Sequence, residues 1–440
     1  MREMTYTSTL PQANVSLRRT AKQTPWLAFA FLSTVFFLTS HDLGQAARGM
    51  DEYNLTRDEL VSRSVEGPPA RRVALAVLGI GAVVSLIRSP ANRRLNTQSL
   101  LGWTLIAFVG WALLSPAWAV DLALTLKRLM PFGIFCIAAF AAARRFSLSE
   151  IVRWSFVSTT VFLLISILAA VFSGTFRPFT PGYRFTGSLD PNSQGVDCAL
   201  LLLSAAAAAD LNRRWRVPAA AGGLLGLTFL ILTGSRTSFA TAVLALVVYG
   251  IAVRSRVSKF AVVCGVSILV CSLLLFMGTE LVPKLKNTIL LGRDEPGSVD
   301  SFNGRSLIWK DLFYYTDQHP IVGFGYGGFW NPTHISEISD EEKSGGISSG
   351  HSAYIDYLLT LGEIGLVAYS LLLVGGIWRA FRFYLLSRNS AYAFCGAFLV
   401  FCALDGILDS NITMAGALLM FLWLVVLTRL AFIETGHIYS

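Results

Sequence analysis

The chain has 440 residues, of which 54% are apolar and 14% charged, and its mean hydropathy is +0.57. Soluble proteins carry about 25% charged residues, so an ordinary soluble domain is excluded, and roughly 240 apolar residues are enough for about a dozen membrane helices. The formal charge of +9, from 36 Lys and Arg against 27 Asp and Glu, would suggest nucleic acid in a soluble chain, but here it follows from topology and no nucleic-acid partner is expected.

Residues 1–24 are polar and basic, and the apolar stretch after them lacks a small-residue cleavage pattern. This predicts a retained first helix rather than a signal peptide. Apolar runs between breakers then predict twelve spans, near 25–40, 71–88, 100–118, 128–143, 151–173, 193–209, 217–233, 236–253, 260–278, 353–378, 391–408 and 412–432. Positive residues accumulate in short cytoplasmic loops. With the N-terminus inside, each internal cytoplasmic loop carries three of them: Arg88, Arg93 and Arg94; Arg144, Arg145 and Arg153; Arg213, Arg214 and Arg216; Arg254, Arg256 and Lys259; Arg379, Arg382 and Arg388. The pattern predicts cytoplasmic termini and divides the chain into 1–278 (a cytoplasmic tail and spans 1–9), 279–352 (a large loop on the outer side, with short helices) and 353–440 (spans 10–12).

The large loop holds most of the unusual residues. Leu307, Ile308, Leu312 and Tyr315 follow a helical stripe that predicts a surface helix over about 304–317. Pro320 pushes His319 out of the helical region, and glycines between Gly323 and Gly328 make a closely approachable turn. Gly323-Phe-Gly-Tyr-Gly-Gly328 formally fits a dinucleotide fingerprint, but neither the strand nor the helix crossover it requires is present. An acidic Ser/Gly-rich stretch, 336–350, returns the chain to His351 at the mouth of the tenth span.

Three of five histidines, His319, His334 and His351, fall in this loop, while His41 flanks a span and His437 lies in the tail. His351 stands where an aqueous loop meets a helix start, and His319 also reads as a helix terminator suited to the C-terminal dipole. Arginines that break the positive-inside pattern form a second group: Arg128 beside Lys127, Arg177, Arg184, Arg236 and Arg305. Arginine near a bilayer is costly unless paired or snorkelling. Its plain reading is a bridge to Asp121, Asp190, Asp197 or lipid phosphate; taken together, several such residues suggest a pyrophosphate held by bidentate hydrogen bonds. Asp197, Glu363 and Asp405 also fit the proton relay of a transporter. Gly222 and Gly226 read as helix packing. All six cysteines lie in apolar segments, so neither a disulfide nor a metal cluster is expected.

Asn303-Gly-Arg305 with Trp309, His319-Pro-Ile-Val-Gly-Phe-Gly325, Gly350-His351-Ser-Ala-Tyr354 and Leu361-Gly-Glu-Ile-Gly365 resemble the O-antigen ligase and Wzy-type polysaccharide polymerase superfamily of bacterial inner-membrane glycosyltransferases. Arg184-Phe-Thr-Gly187 with Pro191-Asn192, and Leu232-Thr-Gly-Ser-Arg236, look like the outer turns of that superfamily. The resemblance implies an all-α, GT-C-like membrane fold, no cofactor and a metal-independent site on the periplasmic face. It implies a donor glycan on undecaprenyl pyrophosphate, with membrane lipids and other polysaccharide assembly proteins as partners. By resemblance, Arg128, Arg184 and Arg236 would hold the pyrophosphate. His351 would be the general base, and Arg305 and His319 would position lipid phosphate or acceptor. Ser352 stands where the superfamily often has Asn. The phrases around Asn303, Gly323–Trp330 and Gly350 look most like the exopolysaccharide, succinoglycan-type polymerase branch; a ligase acting on lipid A core and a lipid-linked sugar flippase are the alternatives.

Overall fold

The computed structural model describes residues 25–48, 69–88, 95, 97–254, 305–338, 349–413 and 418–433. Those residues form an all-helical, multi-pass membrane bundle. In chain order the helices are α1 (Trp26–Ser40), α2 (Leu43–Arg48), α3 (Pro69–Arg88), α4 (Leu100–Leu114), α5 (Leu122–Arg145), α6 (Leu148–Phe172), α7 (Pro191–Leu211), α8 (Arg216–Thr233), α9 (Arg236–Val253), α10 (Arg305–Thr316), α11 (Pro332–Ile338), α12 (Ala353–Ser387), α13 (Ser390–Leu408) and α14 (Leu418–Thr428), the last continued by a π-helical turn, Arg429–Ile433. Among the described residues, nine helices are long and apolar enough to cross a membrane, and Trp26–Ser40 and Leu418–Ile433 are shorter apolar helices. These coincide with eleven of the twelve expected spans; the span expected at 260–278 lies outside the described residues.

Two helices are longer than the apolar runs that revealed them. α5 starts at Leu122 because the Asp121 side chain caps it by accepting from the Leu124 amide at 2.9 Å, so the polar pair Lys127 and Arg128 lies inside the helix. α12 runs on to Ser387 because Arg379 reaches aside to donate to Ser99 Oγ at 2.8 Å while its guanidinium lies over Phe383. Long cationic side chains on membrane helices behave in this way when their heads find a polar boundary.

Aromatic side chains hold the bundle centre. Phe36 of α1, Phe135 of α5, Trp154 of α6 and Phe421 of α14 meet at centroid separations of 4.4–6.4 Å. Helix association in lipid rests on close packing rather than on water exclusion. At Gly222 of α8 an added Cβ would come within 2.6 Å of the Phe156 ring, and at Gly226 within 3.2 Å of Leu201, which bears out the packing role of that pair.

Cross-chain contacts sort the connecting segments into two ends. At one end, the Asp42 amide donates to Ser188 O, Phe185 N to Leu232 O, Val120 N to Phe324 O and Ala353 N to Asp409 O. At the other, Trp26 meets Trp215, Arg254 pairs with Asp210, and Arg429 donates to Ala143 O and Phe146 O at the end of α5. The first, which carries α10, α11 and the long connections, is called the loop end below.

α12 is broken at Gly362, whose φ of 69° and ψ of −168° are not helical. The turn over 320–325 fills the break: Glu363 N donates to Pro320 O at 2.8 Å and Phe324 N to Leu359 O at 2.9 Å. Two indoles brace the joint, Trp111 donating to Leu361 O at 3.0 Å and Trp118 to Val322 O at 2.9 Å. A Cβ at Gly362 would stand 2.2 Å from Ile321 O, and one at Gly323, also left-handed, 2.6 Å from the Gly362 amide. Here glycine is required by both backbone angle and space. Gly362→Ala should therefore cost at least about 3 kcal/mol, from strain and overpacking together, seen as a lower unfolding temperature of the detergent-purified protein. Gly110→Ala, in α4 where an added Cβ meets nothing within 4 Å, should match or exceed the wild type.

Candidate functional site

The loop end brings together several of the polar side chains singled out by the sequence. Arg184, 6% exposed, donates from Nε to Thr233 O at 2.8 Å and from Nη2 to Asn192 Oδ1 at 2.9 Å. Thr233 ends α8, and the left-handed Gly234 that follows packs against the Arg184 side chain. Two residues later Arg236 opens α9. The fold thus brings Arg184 and Arg236 to one turn.

The same Asn192 stands in the first turn of α7, whose N-cap, Asp190, accepts from the Asn192 and Ser193 amides. Ser193 Oγ donates to Asn411 Oδ1 at 2.8 Å, just past the end of α13. At that end the Asp409 carbonyl accepts from Ala353 N at 3.0 Å and the Gly406 carbonyl from Ser352 Oγ at 3.3 Å. Ala353 and Ser352 adjoin His351. A continuous polar path therefore runs from Arg184 across the α7 and α13 termini to His351. His351 itself adopts φ of 47°, an uncommon backbone region for a side chain of this size, and is partly exposed. Strain of this kind is a pointer to function when its surroundings enforce it.

Arg128, partly buried near the start of α5, donates from Nη1 to Gly327 O at 2.6 Å and from Nη2 to Trp330 O at 3.0 Å. Its guanidinium forks onto the outer segment, and an added Cβ on the left-handed Gly327 would strike it. His319 lies edge-on to Phe324 at 4.6 Å, and its carbonyl accepts from the Gly323 amide. It borders a small apolar cluster of Leu312, Phe324, Phe329, Trp330, Ile335, Ile338, Ile355 and Leu359, and no described contact joins it to the arginines or to His351. Arg305 begins α10, with its side chain outside the described residues. His334 lies in the first turn of α11, which Asn331 caps by accepting from the His334 amide at 2.9 Å; its ring stacks on Phe329 and Nδ1 donates to Phe329 O at 2.8 Å. The expected helix over 304–317 is α10, and α11 is a second short helix of the loop, for which the sequence pattern sets no position.

Three features were not read from the sequence. Asp356, one turn into α12 and 4% exposed, accepts at Oδ1 from both Gly350 N and Trp330 Nε1, each at 3.0 Å. Tyr326 is buried in the outer segment against Phe132 and donates its amide to Ser115 Oγ at 3.0 Å; burial raises its phenol well above the ordinary tyrosine range. His41 lies just past α1 against Phe37 and Phe162, with Nδ1 2.8 Å from Ser188 Oγ and Nε2 3.5 Å from Asp197 Oδ2.

The three carboxylates of the relay reading are scattered. Asp197 faces His41, Asp405 accepts from Thr241 Oγ1 at 3.4 Å, and Glu363 is exposed beside the α12 break. Among the described residues no group of three or more His, Cys, Asp or Glu side chains is arranged to hold a metal ion.

The fold is that of a multi-pass membrane protein, with these polar groups gathered at one end of the helical bundle. Residues 221–370 match the family model described as O-antigen ligase. The matched segment covers about a third of the chain, from the middle of α8 past the α12 break, and contains Arg236, Arg305, His319 and His351; Arg128 and Arg184 precede it. No curated protein matches the chain.

Burial pushes His41 down to about 3, so the ring is neutral in the folded state. Between pH 6.5 and 3 the unfolded chain then binds a proton at this residue that the folded chain does not, so the contribution of His41 to stability falls with falling pH. His41→Gln should flatten that part of the unfolding-temperature profile; an unchanged slope would show that His41 does not titrate on unfolding.

Proposed function

We propose that the protein is a metal-independent, lipid-linked-oligosaccharide glycosyltransferase of the polymerase type, with a GT-C-like fold, acting at the periplasmic face of the bacterial inner membrane. It transfers a glycan from undecaprenyl pyrophosphate to a lipid-linked repeat unit in exopolysaccharide synthesis. The observation that carries this reading is the polar path that joins the Arg184 and Arg236 turn to His351 across the α7 and α13 termini. The 221–370 match supports glycosyl transfer as the chemistry of such a site.

In this reading the acceptor hydroxyl oxygen bonds to the anomeric carbon while the bond from that carbon to the pyrophosphate oxygen breaks. His351 takes the hydroxyl proton, as a general base must within hydrogen-bond reach of it. Undecaprenyl pyrophosphate leaves with both bonding electrons. Arg236 meets its growing charge, and Arg184, wedged under the turn, sets the position of Arg236 and adds to the local positive potential. Fixed cations at a departing anion act most strongly because they need not reorganise. Arg128 contributes charge from α5, and Arg305 and His319 serve lipid phosphate or acceptor at the outer segment. Transfer to lipid A core sugars would use the same donor chemistry, so the acceptor alone separates polymerase from ligase.

Orientation follows from the arginine pattern. An alkaline phosphatase fusion after Ser344 should be active and one after Ser387 inactive, and the reverse result would put the site on the wrong side of the membrane.

Purified protein given undecaprenyl-pyrophosphate-linked repeat units should lengthen them and release undecaprenyl pyrophosphate without nucleotide, ion gradient or metal, and EDTA should leave the rate unchanged. His351→Ala and Arg236→Ala should reduce extension by about 100-fold or more while membrane levels stay normal. Arg236→Lys should recover little because it lacks the bidentate fork. Product formed only when lipid A core is supplied would identify a ligase. Movement of units across the bilayer with no glycosidic bond under any acceptor would identify a flippase.

A further inference from the structure

The residue on which the site converges is one that the reaction itself does not use. Asp356 is nearly sealed from solvent in the first turns of α12. A carboxylate in such a place is costly unless donors surround it. The Gly350 amide and the Trp330 indole supply two, both to Oδ1 at 3.0 Å, whereas Oδ2 is buried without a hydrogen-bond partner. The two donors come from different places: Gly350 ends the outer segment and Trp330 precedes α11.

The consequence falls on the next residue. The Gly350 amide is held by Asp356 and its carbonyl by Trp309 Nε1 at 2.8 Å. On the other side, Ser352 Oγ and Ala353 N bond to the Gly406 and Asp409 carbonyls. His351 is suspended between these two clamps with its φ of 47°. Trp330, which shares the carboxylate oxygen, is itself gripped at its carbonyl by Arg128 at 3.0 Å. Asp356 thus ties the α10 and α11 region to the start of α12 at the point where His351 departs.

We propose that Asp356 is a positioning residue for His351, holding the Gly350–His351 peptide so that the imidazole meets the acceptor hydroxyl. The proposal rests on the glycosyl-transfer reading above for its kinetic consequence, but the positioning itself has its own readout. Both bonds to Oδ1 need only an acceptor, so asparagine can keep them and alanine cannot. Glutamate, one methylene longer in a sealed site, would displace the peptide.

The test compares wild type, Asp356→Asn, Asp356→Ala and Trp309→Phe as full-length protein in liposomes. Hydrogen exchange across residues 349–353 is followed first, then initial rates of glycan extension over a range of lipid-linked donor. In Asp356→Ala, exchange should be faster by about tenfold or more, and in Asp356→Asn close to wild type. kcat should fall about 100-fold in Asp356→Ala, since a displacement of about 1 Å has that effect, while KM for the donor moves less than about threefold. Asp356→Asn should restore kcat to within about tenfold of wild type, with Trp309→Phe between the two variants. Should Asp356→Ala fail to accumulate in membranes, Asp356→Asn and Trp309→Phe carry the same comparison. Unchanged exchange in Asp356→Ala, or asparagine no better than alanine, would overturn the proposal. So would a KM that rises in step with the fall in kcat. Failure of the wild type to extend any lipid-linked donor, or full activity of His351→Ala, would instead overturn the glycosyltransferase reading and leave the exchange result to judge Asp356 alone.

Discussion

The loop end depends on one backbone joint, the insertion of the 320–325 turn into the break of α12 at Gly362. A helix interruption in a membrane protein leaves amides and carbonyls that must be satisfied internally. Here the turn supplies them, through Pro320 O to the Glu363 amide and the Phe324 amide to Leu359 O, while Trp111 takes Leu361 O. The two strands of backbone approach so closely that neither Gly323 nor Gly362 has room for a side chain. The break separates the first turns of α12, which carry Asp356 and follow His351, from the long apolar remainder. What would otherwise be a continuous 35-residue helix becomes a short arm, fixed to the outer segment, on top of a membrane span.

From this joint the rest of the polar end follows. The outer segment is anchored at one edge by Val120 N to Phe324 O and at the other by the Arg128 fork on Gly327 O and Trp330 O. Trp330 and Gly350 then share Asp356, which brings the return of the chain to a fixed place beside the α13 terminus. Arginines at this end do two kinds of work. Arg128 and Arg184 each place two donors on backbone or amide oxygens of neighbouring segments. They shape the walls and supply positive potential near a low-dielectric boundary, where charge acts over longer distances than in water.

Much of this was legible in the sequence because bilayer physics is a strong constraint. Every span placed on described residues falls on a helix there, since apolar length alone sets that pattern. The α10 stripe of Ile308, Leu312 and Tyr315 was equally plain. What could not be read was tertiary. Asp121 as a cap lengthens α5 past its polar residues, and the Gly362 break is invisible because Leu361 and Ile364 keep the run apolar. In the sequence Asp356 is a lone carboxylate near a helix start. The available signal was its place five residues beyond His351, together with tryptophans at 309 and 330 whose indole N–H groups needed buried acceptors. His41 read as a flanking residue because its partners Ser188 and Asp197 are far away in sequence. His319 and His351 stood out together by sharing a loop, yet the fold carries them to different surroundings.

In the proposed reaction a lipid pyrophosphate sits at the loop end, between the turn bearing Arg184 and Arg236 and the arm bearing His351. The most direct measurement is photocrosslinking of the full-length protein with an undecaprenyl pyrophosphate analogue carrying a photoreactive group next to the phosphates, followed by peptide mapping. Adducts should fall in 184–192, 233–238 and 349–356, and excess unlabelled undecaprenyl pyrophosphate should suppress them. Adducts confined to the opposite end, around 212–216 and 379–390, or insensitive to that competitor, would contradict it.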